Sequence, residues 1–383
     1  MAWQDLFPGV PEDEWRDWRW QQRAALTTLE DFERIVRLTD EEREGFARTK
    51  GRFRTGATPY YASLIDPTHP HCPVRRQVLP LPAEAEEAAG DRRDPTGEEP
   101  HRPVRALVQK YPDRALLLAT DRCAAYCRHC TRRRITGAEA NGLDRAALSE
   151  AVGWLGAHAG VREVIVSGGD PLVLSDGRVE EILAAVRSVP HVRIVRLATR
   201  APVTNPFRVT EPLARLLRRF APLYVVTHFN HPKELTAEAR AGCERLVDHG
   251  VPVENQSVLL RGINSSARAL VDLNQRLLEA RVRPYYLHQG DLAAGTAHLR
   301  TPLRAGVEIL AAMRGRTSGL AIPHLAVDLP GGEGKIALAP DYVEAREPAG
   351  TWLRGPRGGR AFYPDPASGD CSCPYDAVYY APT

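Results

Sequence analysis

No stretch of the 383-residue chain is apolar for long enough to cross a bilayer, which argues against a membrane-spanning protein. The start, Met1-Ala-Trp-Gln-Asp5, lacks a basic segment followed by an apolar core, so no secretory leader is expected and a cytoplasmic location is. Excess charge of one sign is missing as well. The 51 Lys and Arg against 48 Asp and Glu leave +3, too little by itself to imply a nucleic-acid partner. A disulfide framework is not indicated either. The seven cysteines are odd in number and three of them crowd between 123 and 130, which suits metal chemistry in a reducing compartment. A Walker loop is absent: Pro330-Gly-Gly-Glu-Gly-Lys335 is too short, and no Ser or Thr follows the lysine.

What is present is an order of elements. Residues 10–55 are rich in Trp, Arg, Glu and Leu at helical spacing, with Leu26, Leu29, Phe32, Ile35 and Leu38 on one side, predicting an amphipathic helical segment. Asp40-Glu-Glu-Arg reads as the acidic first turn of a further helix. Residues 83–100, rich in Ala, Glu and Asp with Gly90, Pro95 and Pro100, read as a solvated surface loop. From Arg114 onward branched apolar runs recur at 115–120, 163–167, 193–198, 223–228, 251–258 and 283–288. Helical stretches follow them at 148–158, 179–189, 211–220, 233–249, 267–280 and 303–314. This alternation predicts an α/β fold with parallel strands joined by right-handed crossovers. Six units fall short of an eight-fold closure, so the expectation is a curved, open partial barrel. The expected division is 1–105 helices and loop, 106–328 barrel, and 329–383 a short C-terminal extension.

The chemistry is concentrated in Cys123-Ala-Ala-Tyr-Cys127-Arg-His-Cys130. Three thiolates at this spacing can reach three corners of an iron–sulfur cube and leave the fourth iron open to a small molecule. A zinc loop, or three unrelated thiols, are the plainer readings. Placement favours the cube: the triplet follows a buried-strand pattern, where α/β folds carry their reactive groups. Ser167-Gly-Gly-Asp170-Pro follows the next strand, with glycines that permit close backbone approach. Lys335 on its glycine-rich loop could be a surface charge, a phosphate ligand or an imine-forming amine.

The triplet, with His129 before its last cysteine, resembles the signature of radical S-adenosylmethionine (SAM) enzymes, and its surroundings resemble one branch, the lysine 2,3-aminomutase family. The matching stretches are TPYYASLIDPTHPHCPVRRQ from Thr58, YPDRALLLATDRC from Tyr111, CRHCTRRR from Cys127, SGGDPL from Ser167, THFNHP from Thr227, NQSVLLRGIN from Asn255, RPYYLHQGDL from Arg283 and DLPGGEGK ending at Lys335. They run in family order over most of the chain. The resemblance implies a partial (β/α)6 radical-SAM barrel and an isomerase using a [4Fe–4S] cluster, SAM and pyridoxal 5'-phosphate, fed by an external one-electron reductant. It also implies a likeness in assembly, so a homo-oligomer is expected.

By the same resemblance, Cys123, Cys127 and Cys130 ligate the cluster, and Gly168, Gly169, Asp170, His228 and Gln256 hold SAM. Lys335 carries pyridoxal phosphate as a Schiff base, with Arg114 near its phosphate. Arg132 takes the substrate carboxylate, a task its planar fork suits. Asp291 and Asp328 match the pair that grips a side-chain ammonium, and they are the ground for expecting a small basic amino acid, L-lysine, converted to L-β-lysine. Glu333 stands where relatives usually have another glycine. The tail Cys371-Ser-Cys373-Pro-Tyr-Asp376 only partly matches a structural zinc motif, since the third position is Asp376 and the distant cysteine falls at Ser266. Alternatives within the class are arginine or glutamate 2,3-aminomutase, or a lysine aminomutase devoted to modifying a translation factor. Outside it stand a radical SAM enzyme acting on RNA, suggested by Arg132–Arg134, and a purely structural metal-binding protein.

Overall fold

The computed structural model describes residues 2–137, 142–366 and Cys373. Its centre is a nine-stranded sheet in the order β1 to β9. Seven neighbours run parallel: β2 (Arg114–Thr120), β3 (Glu163–Gly168), β4 (Ile194–Ala198), β5 (Leu223–Thr227), β6 (Val253–Leu259), β7 (Arg283–Gln289) and β8 (His324–Asp328). Between them lie the crossover helices Arg145–Gly156, Asp176–Arg187, Glu211–Arg218, Ala237–Asp248, Ala267–Glu279 and Leu303–Met313. All six expected strand–helix units are present. The seventh parallel strand, β8, lies beyond them and follows the last crossover.

Two antiparallel strands finish the edges. β1 (Leu107–Tyr111) pairs with β2, and β9 (Lys335–Leu338) folds back on β8 with Asp328 opposite Lys335. Sheet pairing thus continues past residue 328. A separate three-stranded sheet, β10 (Val343–Glu347), β11 (Gly350–Arg354) and β12 (Arg360–Pro364), follows. Helix starts are set by short oxygen-bearing side chains: Asp144, Ser175, Thr210, Thr236 and Ser266 each accept a bond from the third backbone N–H beyond. Ser266, the position that would have completed the zinc motif, is therefore engaged as a helix cap. Cys371 and Asp376 lie outside the described residues, and Cys373 is exposed.

The N-terminal segment is not one amphipathic helix. It is cut into Glu12–Arg16, Trp18–Arg23, Leu29–Glu33 and Asp40–Thr49, because Asp17, Thr28 and Thr39 cap new starts. The acidic turn at Asp40 begins a helix as expected. Trp15, Leu26, Phe32 and Tyr61 share one apolar core with the barrel residues Leu117, Val164 and Leu197, so the segment is packed onto the barrel wall. The expectation of a solvated loop at 83–100 is corrected. Glu84 is fully buried and Glu98 is 4% exposed, because each neutralises guanidinium groups of the Arg128–Arg134 stretch.

Candidate active site

The cysteine loop leaves β2 at Thr120 and is tied down on both sides. Arg128, within the triplet, is buried. Its Nε donates to Glu84 at 2.9 Å and 3.1 Å, its Nη1 to the Arg54 carbonyl at 2.7 Å, and its backbone N–H to the Gln77 carbonyl at 3.0 Å. The Gly-Gly pair explains itself here. A side-chain carbon on Gly168 would stand 2.4 Å from the Thr120 carbonyl oxygen, and one on Gly169 2.3 Å from that of Arg122. Gly168 also has a φ of +109°, which side chains rarely adopt. The glycines therefore let the third strand's end lie directly against the cysteine loop. The buried Asp170 carboxylate accepts from Leu172 N at 2.9 Å, Thr199 Oγ at 2.6 Å and Arg200 N at 2.8 Å. That side chain latches the ends of β3 and β4 together and leaves backbone groups to face a ligand.

Under the loop lies a buried polar hub that sequence reading missed. Arg200 donates from Nη1 to Cys127 Sγ at 2.6 Å and from Nη2 to Gln77 at 2.6 Å, Glu234 at 2.7 Å and Tyr61 at 3.0 Å. Glu234 is fully buried, and it accepts further bonds from Tyr61 OH and the Asn230 backbone, both at 2.6 Å. His129 and His228 stack beside it with centroids 5.2 Å apart and planes 21° apart. Burial, followed by the neighbouring positive groups, holds both rings well below the usual histidine range, so both are neutral.

A second cluster forms at the far side of the barrel mouth. Lys335 Nζ is in contact with Asp328 Oδ2 across the β8–β9 hairpin and lies 3.2 Å from His288 Nδ1. The other nitrogen of His288 is 3.0 Å from Gln256 Oε1, so a hydrogen-bonded chain runs Gln256–His288–Lys335–Asp328. Burial and the Lys335 charge push His288 down to about 3. Burial and the like charge of Asp328 push Asp291 up to about 6. Arg132, on the cysteine loop, lies close enough for its charge to act on Asp291. Its Nε donates to Glu98 at 2.8 Å and its Nη1 to Ser167 at 3.4 Å. Arg114 stands apart: its guanidinium lies 3.8 Å over the Tyr111 ring and pairs with Asp113 at 3.0 Å. A link exists, because the Tyr111 hydroxyl lies against Gly334, the residue before Lys335.

The family model described as Radical SAM superfamily matches residues 117–273, and that described as Lysine-2,3-aminomutase matches residues 310–380. An L-lysine 2,3-aminomutase of Fusobacterium nucleatum is 44% identical over 94% of this chain and 85% of its own length. One of Clostridium subterminale is 43% identical over 96% of this chain and 89% of its own. The chain belongs to the lysine 2,3-aminomutase family. A glutamate 2,3-aminomutase of Clostridioides difficile is also similar, at 40% identity over 88% of this chain and 79% of its own length.

An aminomutase of this family is an isomerase with a radical-SAM barrel, and the cofactor set it implies is a [4Fe–4S] cluster, SAM and pyridoxal phosphate. The residues present fit these groups on chemical grounds. Three thiols, Cys123, Cys127 and Cys130, share one braced loop. His129 Nδ1 is buried beside the loop without a partner among the described residues, a polar atom that a bound ligand would satisfy. Lys335 is the amine whose neighbours, one acid and one neutral imidazole, can hold and exchange its proton. In the arginine run, Arg132, Arg133 and Arg134 are each paired with an acid, Glu98, Glu84 and Asp94. Among the described residues no helix is long and apolar enough to cross a membrane.

Proposed function

We propose that the enzyme moves the α-amino group of L-lysine from carbon two to carbon three, giving L-β-lysine. The observation that carries the substrate assignment is the nearness of Asp291 to Asp328, where burial and then the like charge of Asp328 push Asp291 up to about 6. Two half-buried acids sharing a single lysine leave room for a second cation. A substrate side-chain ammonium supplies it, whereas a glutamate side chain would be repelled.

In this reading Cys123, Cys127 and Cys130 hold the cluster. The backbone at Gly168 and Gly169, with His228 and Gln256, holds SAM, and Lys335 holds pyridoxal phosphate with Arg114 toward its phosphate end. When bound, these groups supply a carbon-centred radical and a ring that carries the migrating amine. The protein's residues do the rest. Arg132 offers Nη2, which makes no hydrogen bond among the described residues, to the substrate carboxylate, while Glu98 keeps the guanidinium plane fixed. Asp328 holds the Lys335 ammonium until that nitrogen is engaged, and is then released to join Asp291 on the substrate's ammonium. His288 stays neutral and accepts from Lys335, which keeps the lysine aimed into the barrel. The braced cysteine loop holds the reacting groups in position.

The test is anaerobic incubation of reconstituted protein with lysine, arginine and glutamate separately, with product analysis. Lysine should turn over best, arginine more slowly and glutamate least. In the same protein, borohydride should fix pyridoxal phosphate covalently, and Lys335→Ala should abolish that fixation. Preferred turnover of glutamate, or fixation that survives in the variant, refutes the assignment.

A further inference from the structure

The barrel's acids and stacked histidines leave one large feature unexplained. A groove of about 860 Å³ lies outside the barrel, between the N-terminal helices and the outer side of the cysteine loop, with Cys123, Ala124 and Tyr126 as part of its wall. Its rim is basic. Arg43, Lys50, Arg54 and Arg122 line it, all exposed, against the single acid Glu30. Lys50 and Arg122 make no side-chain ion pair among the described residues, while Arg43 is paired with Glu33. The whole chain carries only +3, so this concentration of positive charge beside one cysteine of the triplet is local. Elsewhere the basic residues of the cysteine loop are neutralised by buried acids, as Arg128 is by Glu84 and Arg132 by Glu98. On the groove side Lys50 and Arg122 are left facing water.

We propose that this groove is the docking site of a small acidic protein that carries one electron to the cluster. The inference rests on the radical-SAM reading above and adds where the electron enters. The chemistry balances simply: the carrier is oxidised by one electron, the cluster is reduced by one, and no bond or proton is exchanged. An acidic carrier is matched to the rim by charge, and steering between opposite charges raises encounter rates by roughly 10- to 1,000-fold at low salt. The groove brings such a carrier against the chain segment that includes Cys123, so the electron need not cross the barrel.

The experiment uses the reconstituted holoenzyme and follows bleaching of the cluster by stopped flow under anaerobic conditions. One arm uses a purified acidic flavoprotein carrier or an acidic [2Fe–2S] carrier, reduced beforehand. The other uses dithionite. In Lys50→Glu/Arg122→Glu, carrier-driven reduction should slow by about 10-fold at low ionic strength and lose its salt dependence, with dithionite reduction unchanged. Glu30→Lys should act oppositely and speed the carrier arm. Carrier rates indifferent to all three substitutions overturn the proposal, and so does an equal fall in both arms, which marks damage to the loop. Wild-type protein that shows no iron–sulfur absorbance after reconstitution would instead overturn the radical-SAM reading itself.

Discussion

Replacing Asp291 by Asn removes one negative charge from the paired-acid end of the site while keeping nearly the same volume. Burial and then Asp328 push this carboxyl from the ordinary carboxylate range up to about 6. At about 1.4 kcal/mol per unit, the ionised group sits in an environment up to ~3 kcal/mol worse than water, less whatever solvent reaches it. The folded protein holds the proton more tightly than the unfolded chain does. The residue's contribution to stability is therefore greatest below about pH 4, declines as pH rises toward about 6 and stays lost above. Asp291→Asn should accordingly raise stability at pH 7, by up to ~3 kcal/mol in urea unfolding. Function should move the other way. Losing one charged partner of the substrate ammonium costs about 1.5–3 kcal/mol, so kcat/KM for lysine should fall roughly 10- to 100-fold. In the wild type, kcat/KM should decline as pH falls through about 6, and in the variant that limb should vanish. His288, held near 3, adds no limb close to neutrality. A limb that persists in the variant, or a variant less stable than wild type at pH 7, would refute the reasoning.

Two further substitutions probe the scaffold of the site. Gly169→Ala places a carbon 2.3 Å from a backbone oxygen that cannot swing away, so the cysteine loop must shift; the expected outcome is ~1–3 kcal/mol lost in thermal unfolding and iron and sulfide content well below three-quarters of wild type. Glu98→Gln strips one buried charge from between Arg132 and Arg134, to which it is bonded at 2.8 Å and 3.3 Å. Burial opposes ionisation of Glu98, but the two guanidiniums outweigh it and hold the carboxyl below its ordinary value. Thermal unfolding should register ~3–5 kcal/mol of destabilisation, and the KM for lysine should rise as Arg132 loses its anchor. An unchanged KM would separate Glu98 from substrate binding.

Local pattern was enough to read the barrel. Apolar runs and helical stretches alternated six times, and six strand–helix units are present, because a strand buried on both faces shows itself as a branched apolar run. β8 was not among the runs that marked a unit, since no helix follows it. The loop at 83–100 was misread for a different reason. Composition reports how polar a segment is, and not whether the rest of the chain delivers arginines to bury its acids, as Arg128 and Arg132 do to Glu84 and Glu98. The bonds of the Asp170 side chain were not legible either, because only the tertiary structure brings Thr199 and Arg200 at the end of β4 within its reach.

Taken by itself, the order of residues determined which groups could bear the chemistry: three thiols on one loop, a lysine on a glycine-rich loop, and two acids, Asp291 and Asp328. Spacing of a few residues is a local property, and local geometry follows from it. The tertiary structure alone decided what charges those groups. Arg200 beneath Cys127, Glu98 behind Arg132 and His288 between Gln256 and Lys335 are neighbours across 73, 34 and up to 47 positions of chain. No sequence window spans such distances, yet in a buried site the partner of a charge decides whether that charge can exist at all.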